Sequence, residues 1–241
     1  MSIIFFLVFL LCCTSAVLST KDDEKVLLKI KKQLGNPYGL SWWVKGFDYC
    51  NASANIAPDY SYITCTNTSR VRSILLQNLD VTAPFPGAIC ELTEVQDILL
   101  SHDPRLYGPI PSCITELPNL WEVIITDTSL SGPVPSFHNS PNLLAINLAR
   151  NHLSEFSDYL YGFDLRHNKI YGKVPDSFAT AAGLWYPNLS YNKLCGELPR
   201  EGNMWRFSAE VFANNTCLCG KPLPPCSNLA PAPAPAFSPP Y

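Results

Sequence analysis

The sequence predicts an α/β solenoid: one short coil repeated about six times along a parallel sheet, with a cap at each end. Two observations carry this prediction. The chain resembles itself at a spacing of about 24 residues, within the range of solenoid repeats. Each period also holds the same pattern: alternating apolar residues, then a polar turn residue, then a glycine followed by "IP" or "VP".

The copies can be laid out in order. "VQDILLSHDPRLYGPIPSCITELPNL" (95–120) is followed by "LWEVIITDTSLSGPVPSFHNSPNL" (120–143), "LLAINLARNHLSEF" (143–156), "YGFDLRHNKIYGKVPDSF" (161–178) and "LWYPNLSYNKLCGELP" (184–199). A degenerate copy precedes them at 71–95. Their shared frame, L-x-x-L-x-L-x-x-N-x-L-x-G-x-I-P-x-x-L-x-x-L, is that of a leucine-rich repeat. Leu143, Ile146 and Leu148, and then Phe163 and Leu165, have the alternation of short strands with one face buried. Stacking aligns these strands into a parallel sheet on the concave side. Asn151, Asn168 and Asn192 stand where the chain turns away, so their amides can bond backbone groups of neighbouring coils. Gly108, Gly132, Gly172 and Gly196 suit a turn of positive φ before the convex segment. Two irregularities are expected. Asn151 and Asn168 are only 17 residues apart, which removes most of one convex segment. Pro187 takes a buried strand position and deletes a ladder donor.

A solenoid cannot bury its own end faces. At the N-terminal end, Val26, Leu27, Ile30 and Leu34 fall on one helical face, Asp22 and Asp23 lie near its start, and Gly35-Asn36-Pro37 stops it. With Trp42 and Trp43, this helix can cover the first coil. The expected organisation is a signal peptide at 1–20, an N-terminal cap at 21–70, repeats at 71–199, a C-terminal cap at 200–226 and a Pro-rich tail at 227–241. The alternating Ala-Pro of that tail favours an extended polyproline II segment.

Residues 1–20 carry no charge, and the apolar run 3–13 is too short to span a bilayer. Small residues follow it, as in a secretory signal. The remaining chain is expected to be secreted, soluble and monomeric, with no membrane span. A net charge of -3 without a basic stripe makes the chain a poor nucleic-acid binder, and no nucleic-acid partner is expected. Four sequons, at Asn51, Asn67, Asn188 and Asn214, fit passage through the secretory pathway. Cys12 and Cys13 leave with the signal. Eight cysteines remain, and an even number in an oxidising compartment implies disulfides before metal. "CLC" at 217–219 lacks the two-residue spacer of redox and zinc pairs, and no histidine lies nearby, so no cofactor or metal is expected. Cys90 and Cys113 sit about two residues out of register on consecutive coils, so a disulfide and two buried thiols both remain open.

The outward strand positions form the candidate binding surface. They are Gln96, Asp97 and His102; Trp121, Glu122, Thr126 and Asp127; Asn147 and Arg150; Tyr161, Asp164, Arg166 and His167; and Tyr186 and Tyr191. Aromatic residues with mixed charge suit a protein partner. A glycan on Asn188 would obstruct the C-terminal end of this surface. Catalysis is not expected. Asp97 and Asp127 could approach one another on adjacent coils, but on an open sheet without a pocket that excludes water.

The segments "DDEKVLLKIKKQLGNP…LSWW", "SGPVP", "YGKVP", "FDLRHNKIYG" and "LSYNKLCGELPREGNMWRFSAEVFANNTCLCGKPLPPC" resemble the plant polygalacturonase-inhibiting proteins over roughly residues 21–226. The resemblance implies a plant-type leucine-rich-repeat fold in the cell wall or apoplast, acting in defence. It also implies binding of fungal or insect endopolygalacturonases through the concave sheet and, in some members, binding of pectin. Recognition of pectin or of a receptor, without inhibition, is the alternative. The family typically has about ten repeats, and the coils absent here lie between Leu143 and Phe156. An expected cysteine before "KDDEK" is missing, and Tyr49 stands where its partner would be, which leaves Cys50 to pair with Cys65. The resemblance further implies two sequential C-terminal disulfides, Cys195–Cys217 and Cys219–Cys226.

Overall fold

A computed structural model describes residues 22–51, 60–156, 162–180, 187–202 and 204–226. The expected signal peptide, the Pro-rich tail, Tyr161 and Tyr186 lie outside the described residues.

The first described element is helix α1 (22–33), which with the residue after it buries Leu27 and Ile30 completely and Val26 and Leu34 nearly so. It ends because Gly35 and Asn36 enter the left-handed region at φ 79° and 56°. There the Asn36 N–H reaches back to the Lys31 carbonyl, and the Gly35 N–H to that of Lys32. This pairing satisfies the last carbonyls of the helix before Pro37. At the other end of α1, Asp23 does more than complement the helix dipole. It is 4% exposed, accepts two hydrogen bonds from the Arg70 guanidinium at 2.8 and 2.9 Å, and accepts a third from the Val71 N–H at 2.8 Å. That contact ties the helix to the first repeat strand. Trp42, Trp43, Phe47 and Tyr49 pack with ring centroids 5.3–6.2 Å apart. Tyr49, at the position where a cysteine was expected, is buried in this cluster and donates its hydroxyl to the Val44 carbonyl.

Strands β1 (Ser61–Cys65) and β2 (Val71–Gln77) form an antiparallel hairpin, and Cys65 is bonded to Cys50. From β2 onward the pairing is parallel, through β4 (Asp97–Gly108), β5 (Glu122–Pro133), β6 (Ala145–Asn147) and β8 (Phe163–Asp164). Register is kept across every coil: Ile74 faces Ile98, which faces Val123, then Ile146, then Phe163. All five are buried and form one apolar spine. Short strands on the far side of the turn pair separately: β3 (Ala83–Pro84) with β4, β7 (His152–Glu155) with β5, and β9 (Tyr171–Gly172), β10 (Lys193–Glu197) and β11 (Cys217–Cys219) with one another. A short helix, α2 (Asp176–Thr180), fills one convex segment.

The shortened coil leaves the concave register intact, because a parallel ladder constrains only the paired residues and not the length of the return path. Pro187 has the expected effect. Pairing contracts to an isolated bridge between Asp164 and Asn188, although the Asn188 N–H still donates to Phe163 at 3.0 Å.

The asparagine positions carry the turn. Asn168 Nδ2 donates to the carbonyls of Leu148 and Leu165, and its Oδ1 accepts from the Leu153 N–H. Asn192 repeats this with Leu165, Leu189 and Ile170. Asn215 repeats it again with Leu189, Phe212 and Leu194, and the Leu189 and Tyr191 N–H groups donate to the carbonyls of Val211 and Ala213. The C-terminal cap is therefore built as one more coil. It is closed by the Cys195–Cys217 and Cys219–Cys226 disulfides. Cys90 and Cys113 are also bonded, at a Cα separation of 5.8 Å, which decides between the two states left open above.

Candidate partner-binding face

The register fixes four rows of side chains on the concave side. The first holds Ser73, Asp97, Glu122 and Ala145, and the second Leu75, Leu99, Ile124, Asn147 and Asp164, with Asn188 bridged to Asp164. The third holds Gln77, Ser101 and Thr126, continued on later coils by Ala149, Arg166 and Ser190. The last row forms the lip of the sheet: Asn78, His102, Asp127, Arg150, His167, Tyr191 and Asn214. Each of these seven has φ between 50° and 58°. A non-glycine residue in that region is uncommon, and here it recurs once per coil. The kink turns the chain away from the concave face and leaves the next residue for the turn ladder.

The second row divides the face into two halves. Leu75, Leu99 and Ile124 are half-buried and make an apolar stripe across the first three coils. Asn147, Asp164 and Asn188 continue it on the last three, and each holds its Oδ1 on the backbone N–H two residues on, at 3.0–3.2 Å. The apolar half is edged by carboxylates. Asp97 and Glu122 are register partners, and burial together with the Asp97 charge raises the Glu122 pKa above the usual carboxylate value. The carboxylate pair that the structure brings together is thus Asp97 with Glu122. Asp127, which the sequence suggested as the neighbour of Asp97, stands in the lip row, 3.3 Å from Arg150 and 4.0 Å from His102. At the same lip His167 stacks on Tyr191, centroids 4.1 Å apart. Arg166 pairs with Asp164 at 3.3 Å.

The remaining predicted residues are placed less centrally. Gln96 and Trp121 sit one residue before their strands, at the flank; Gln96 accepts a hydrogen bond from Arg72, and Trp121 is exposed. Thr126 is half-buried in the third row. The sequence reading did not include Arg206, Phe207, Ser208 and Val211. Together with Leu144, Asn147, Asp164, Pro187 and Asn188 these border a groove of about 730 Å³ between the cap and the concave sheet. The pattern Asn215-x-Cys217, like Asn192-x-Leu194, was the signal that the cap folds as a coil and brings this wall onto the face. Among the described residues, no cluster of His, Cys, Asp or Glu is suited to hold a metal ion, and no helix is long and apolar enough to cross a membrane.

No protein-family model matches the chain. Polygalacturonase inhibitor 2 of Arabidopsis thaliana is 28% identical, covering 86% of this chain and 92% of its own length. The polygalacturonase inhibitor of Pyrus communis is 26% identical, covering 87% and 92%. Among solved structures, the BIR2 ectodomain from Arabidopsis thaliana superposes with a TM-score of 0.61 at 22% identity, over 85% of this chain and 97% of that one, a likeness of fold. The alignment with the Arabidopsis inhibitor spans 309 positions, whereas 86% of 241 residues is about 207, so about a hundred positions have no counterpart here. At about 24 residues per coil that is about four coils. By sequence, the chain is similar over most of its length to plant polygalacturonase inhibitors, and by fold it is a plant-type leucine-rich-repeat solenoid, with about six repeats.

Proposed function

We propose that this chain is a secreted, non-enzymatic recognition protein of the plant cell wall. It binds a pathogen endopolygalacturonase, fungal or insect, across its concave face, and inhibits it by covering the enzyme without covalent chemistry. The observation that carries this reading is the half-exposed stripe Leu75–Leu99–Ile124, edged by Asp97 and Glu122 and by the mixed-charge lip His102–Asp127–Arg150. An apolar centre with a polar rim is what a protein partner buries. The names of the relatives supply the partner's identity. Purified chain titrated against a panel of fungal and insect endopolygalacturonases is the direct test; neither inhibition nor binding across the panel would sink the proposal.

The alternative in which the face holds pectin has weaker support. The two concave arginines available for a polyuronate, Arg150 and Arg166, are each paired with a carboxylate of the same face. Recognition of another receptor ectodomain would use the same apolar stripe. It is separated from inhibition by binding that leaves polygalacturonase activity unchanged.

A further inference from the structure

Four sequons are present, but their settings differ. Asn67 lies in the exposed turn between β1 and β2, Asn51 is exposed beside Cys50, and Asn214 is exposed on the lip of the cap coil. Asn188 stands inside the lip, in the second concave row, where it borders the groove between the sheet and the Arg206–Ser208 wall. Its side chain is held in one orientation. Oδ1 accepts from the Ser190 N–H at 3.2 Å and from the Ser190 hydroxyl at 2.8 Å. Nδ2 donates to no group among the described residues. The acceptor nitrogen of the sequon is thus left over on the open side of the sheet, at a groove with room for more than a side chain.

We propose that Asn188 carries an N-linked glycan whose first sugars lie in this groove, shielding the half of the concave face built by the last coils. In the transfer, the Asn188 Nδ2 forms a bond to C1 of an oligosaccharide delivered on a lipid pyrophosphate. The C1–O bond to pyrophosphate breaks, the amide gives up one proton, and the lipid pyrophosphate leaves. The Oδ1 bonds to Ser190 survive, since they use the oxygen. The glycan covers Asn147, Asp164 and Phe207, reaches the Ile124 end of the apolar stripe, which borders the same groove, and leaves Leu75 and Leu99 open. Recognition is thereby shifted toward the first coils, with Ile124 at the boundary, and the mixed row of Asx residues becomes a carbohydrate seat rather than part of the protein-binding surface. This inference rests on the secretory reading above.

The test uses the full chain produced in a plant secretory host and purified from the secreted fraction. The tryptic peptide 174–193 contains Asn188 as its single sequon, and 46–70 contains Asn51 and Asn67. The expected result is a glycan on 174–193 that is lost in both Asn188→Gln and Ser190→Ala and kept in Ser190→Thr. Two variants are used because Ser190 is buried and its replacement alone can disturb the local backbone. Hydroxyl-radical labelling of Phe207 and Leu144 should rise in Asn188→Gln, while exposed Trp121 stays constant. Peptide 174–193 recovered only unmodified, with a glycan on 46–70, overturns the proposal and leaves secretion standing. Absence of glycan from all sequons overturns both. An occupied Asn188 with unchanged labelling of Phe207 and Leu144 overturns the seat in the groove.

Discussion

Asp103 stands at the turn position that Asn151, Asn168 and Asn192 occupy in later coils, and it is 3% exposed. It serves half of the asparagine role, since one oxygen accepts from the Asp80 N–H at 2.8 Å. A carboxylate has no N–H to give, so it lacks the pair of donations that Asn168 makes to carbonyls of its own and the preceding coil at 2.9 and 3.0 Å. Burial raises the Asp103 pKa against the opposing effect of backbone N–H groups from Leu79, Asp80 and Val81. Asp103→Asn should therefore stabilise the protein near neutral pH. Two neutral hydrogen bonds at about 1 kcal/mol each, less some weakening of the accepted bonds, give a gain of about 1–2 kcal/mol. In a chain of this size that raises Tm by roughly 2–8 °C. The pH dependence has a definite sign. A carboxyl whose folded pKa is raised above its unfolded value stabilises the fold fully below the unfolded pKa, and that contribution is lost as pH rises through the folded pKa. The advantage of Asp103→Asn should accordingly be largest at pH 7 and shrink as pH falls toward about 4. Thermal unfolding at several pH values measures both. A destabilised variant, or a gain that does not change with pH, would refute the assignment of Asp103 to the turn ladder.

Two further predictions follow from the same contacts. Asn192→Ala orphans the Ile170 N–H and two buried carbonyls, and should cost about 3 kcal/mol by chemical denaturation; Asn147→Ala, half-exposed with one accepted bond, should cost under about 1 kcal/mol. Cys217→Ser opens the loop of sequence separation 22 that clasps the last coil to the cap, and should lower stability by about 3 kcal/mol and reduce secreted yield; unchanged unfolding and yield would contradict a clasp at that position.

The coil itself was legible because its signal is redundant. Apolar alternation, a turn residue and a glycine recur together, and errors in one copy are corrected by the others. The features that escaped are those without such redundancy. The seventh coil carries little of the leucine frame; only Asn215, one position after the Asn214 sequon, keeps the ladder residue. Asp23 scored as a helix-terminal charge, whereas its three hydrogen bonds depend on Arg70 and Val71, 47 and 48 residues away. The Asp97–Asp127 pairing failed because a coil spacing of 25 residues, Asp97 to Glu122, sets the register, so residues 30 apart fall in different rows. The Cys90–Cys113 bond needed the actual backbone, since both residues lie in convex 3-10 turns where sequence register is loosest. The groove at the cap combines residues from four coils and the Arg206–Val211 segment, and no local pattern encodes such a meeting.

The central claim is that the apolar stripe of the first three coils is where a polygalacturonase is bound. Its most direct measurement is binding and inhibition of an endopolygalacturonase taken from the panel, comparing the parent chain with the double variant Leu99→Ala/Ile124→Ala. These register partners are half-buried on the face. The account predicts that affinity falls at least about tenfold, and inhibition with it, as for central interface residues, while the folded spectrum is retained. Undiminished binding by the double variant, with its fold intact, would contradict it.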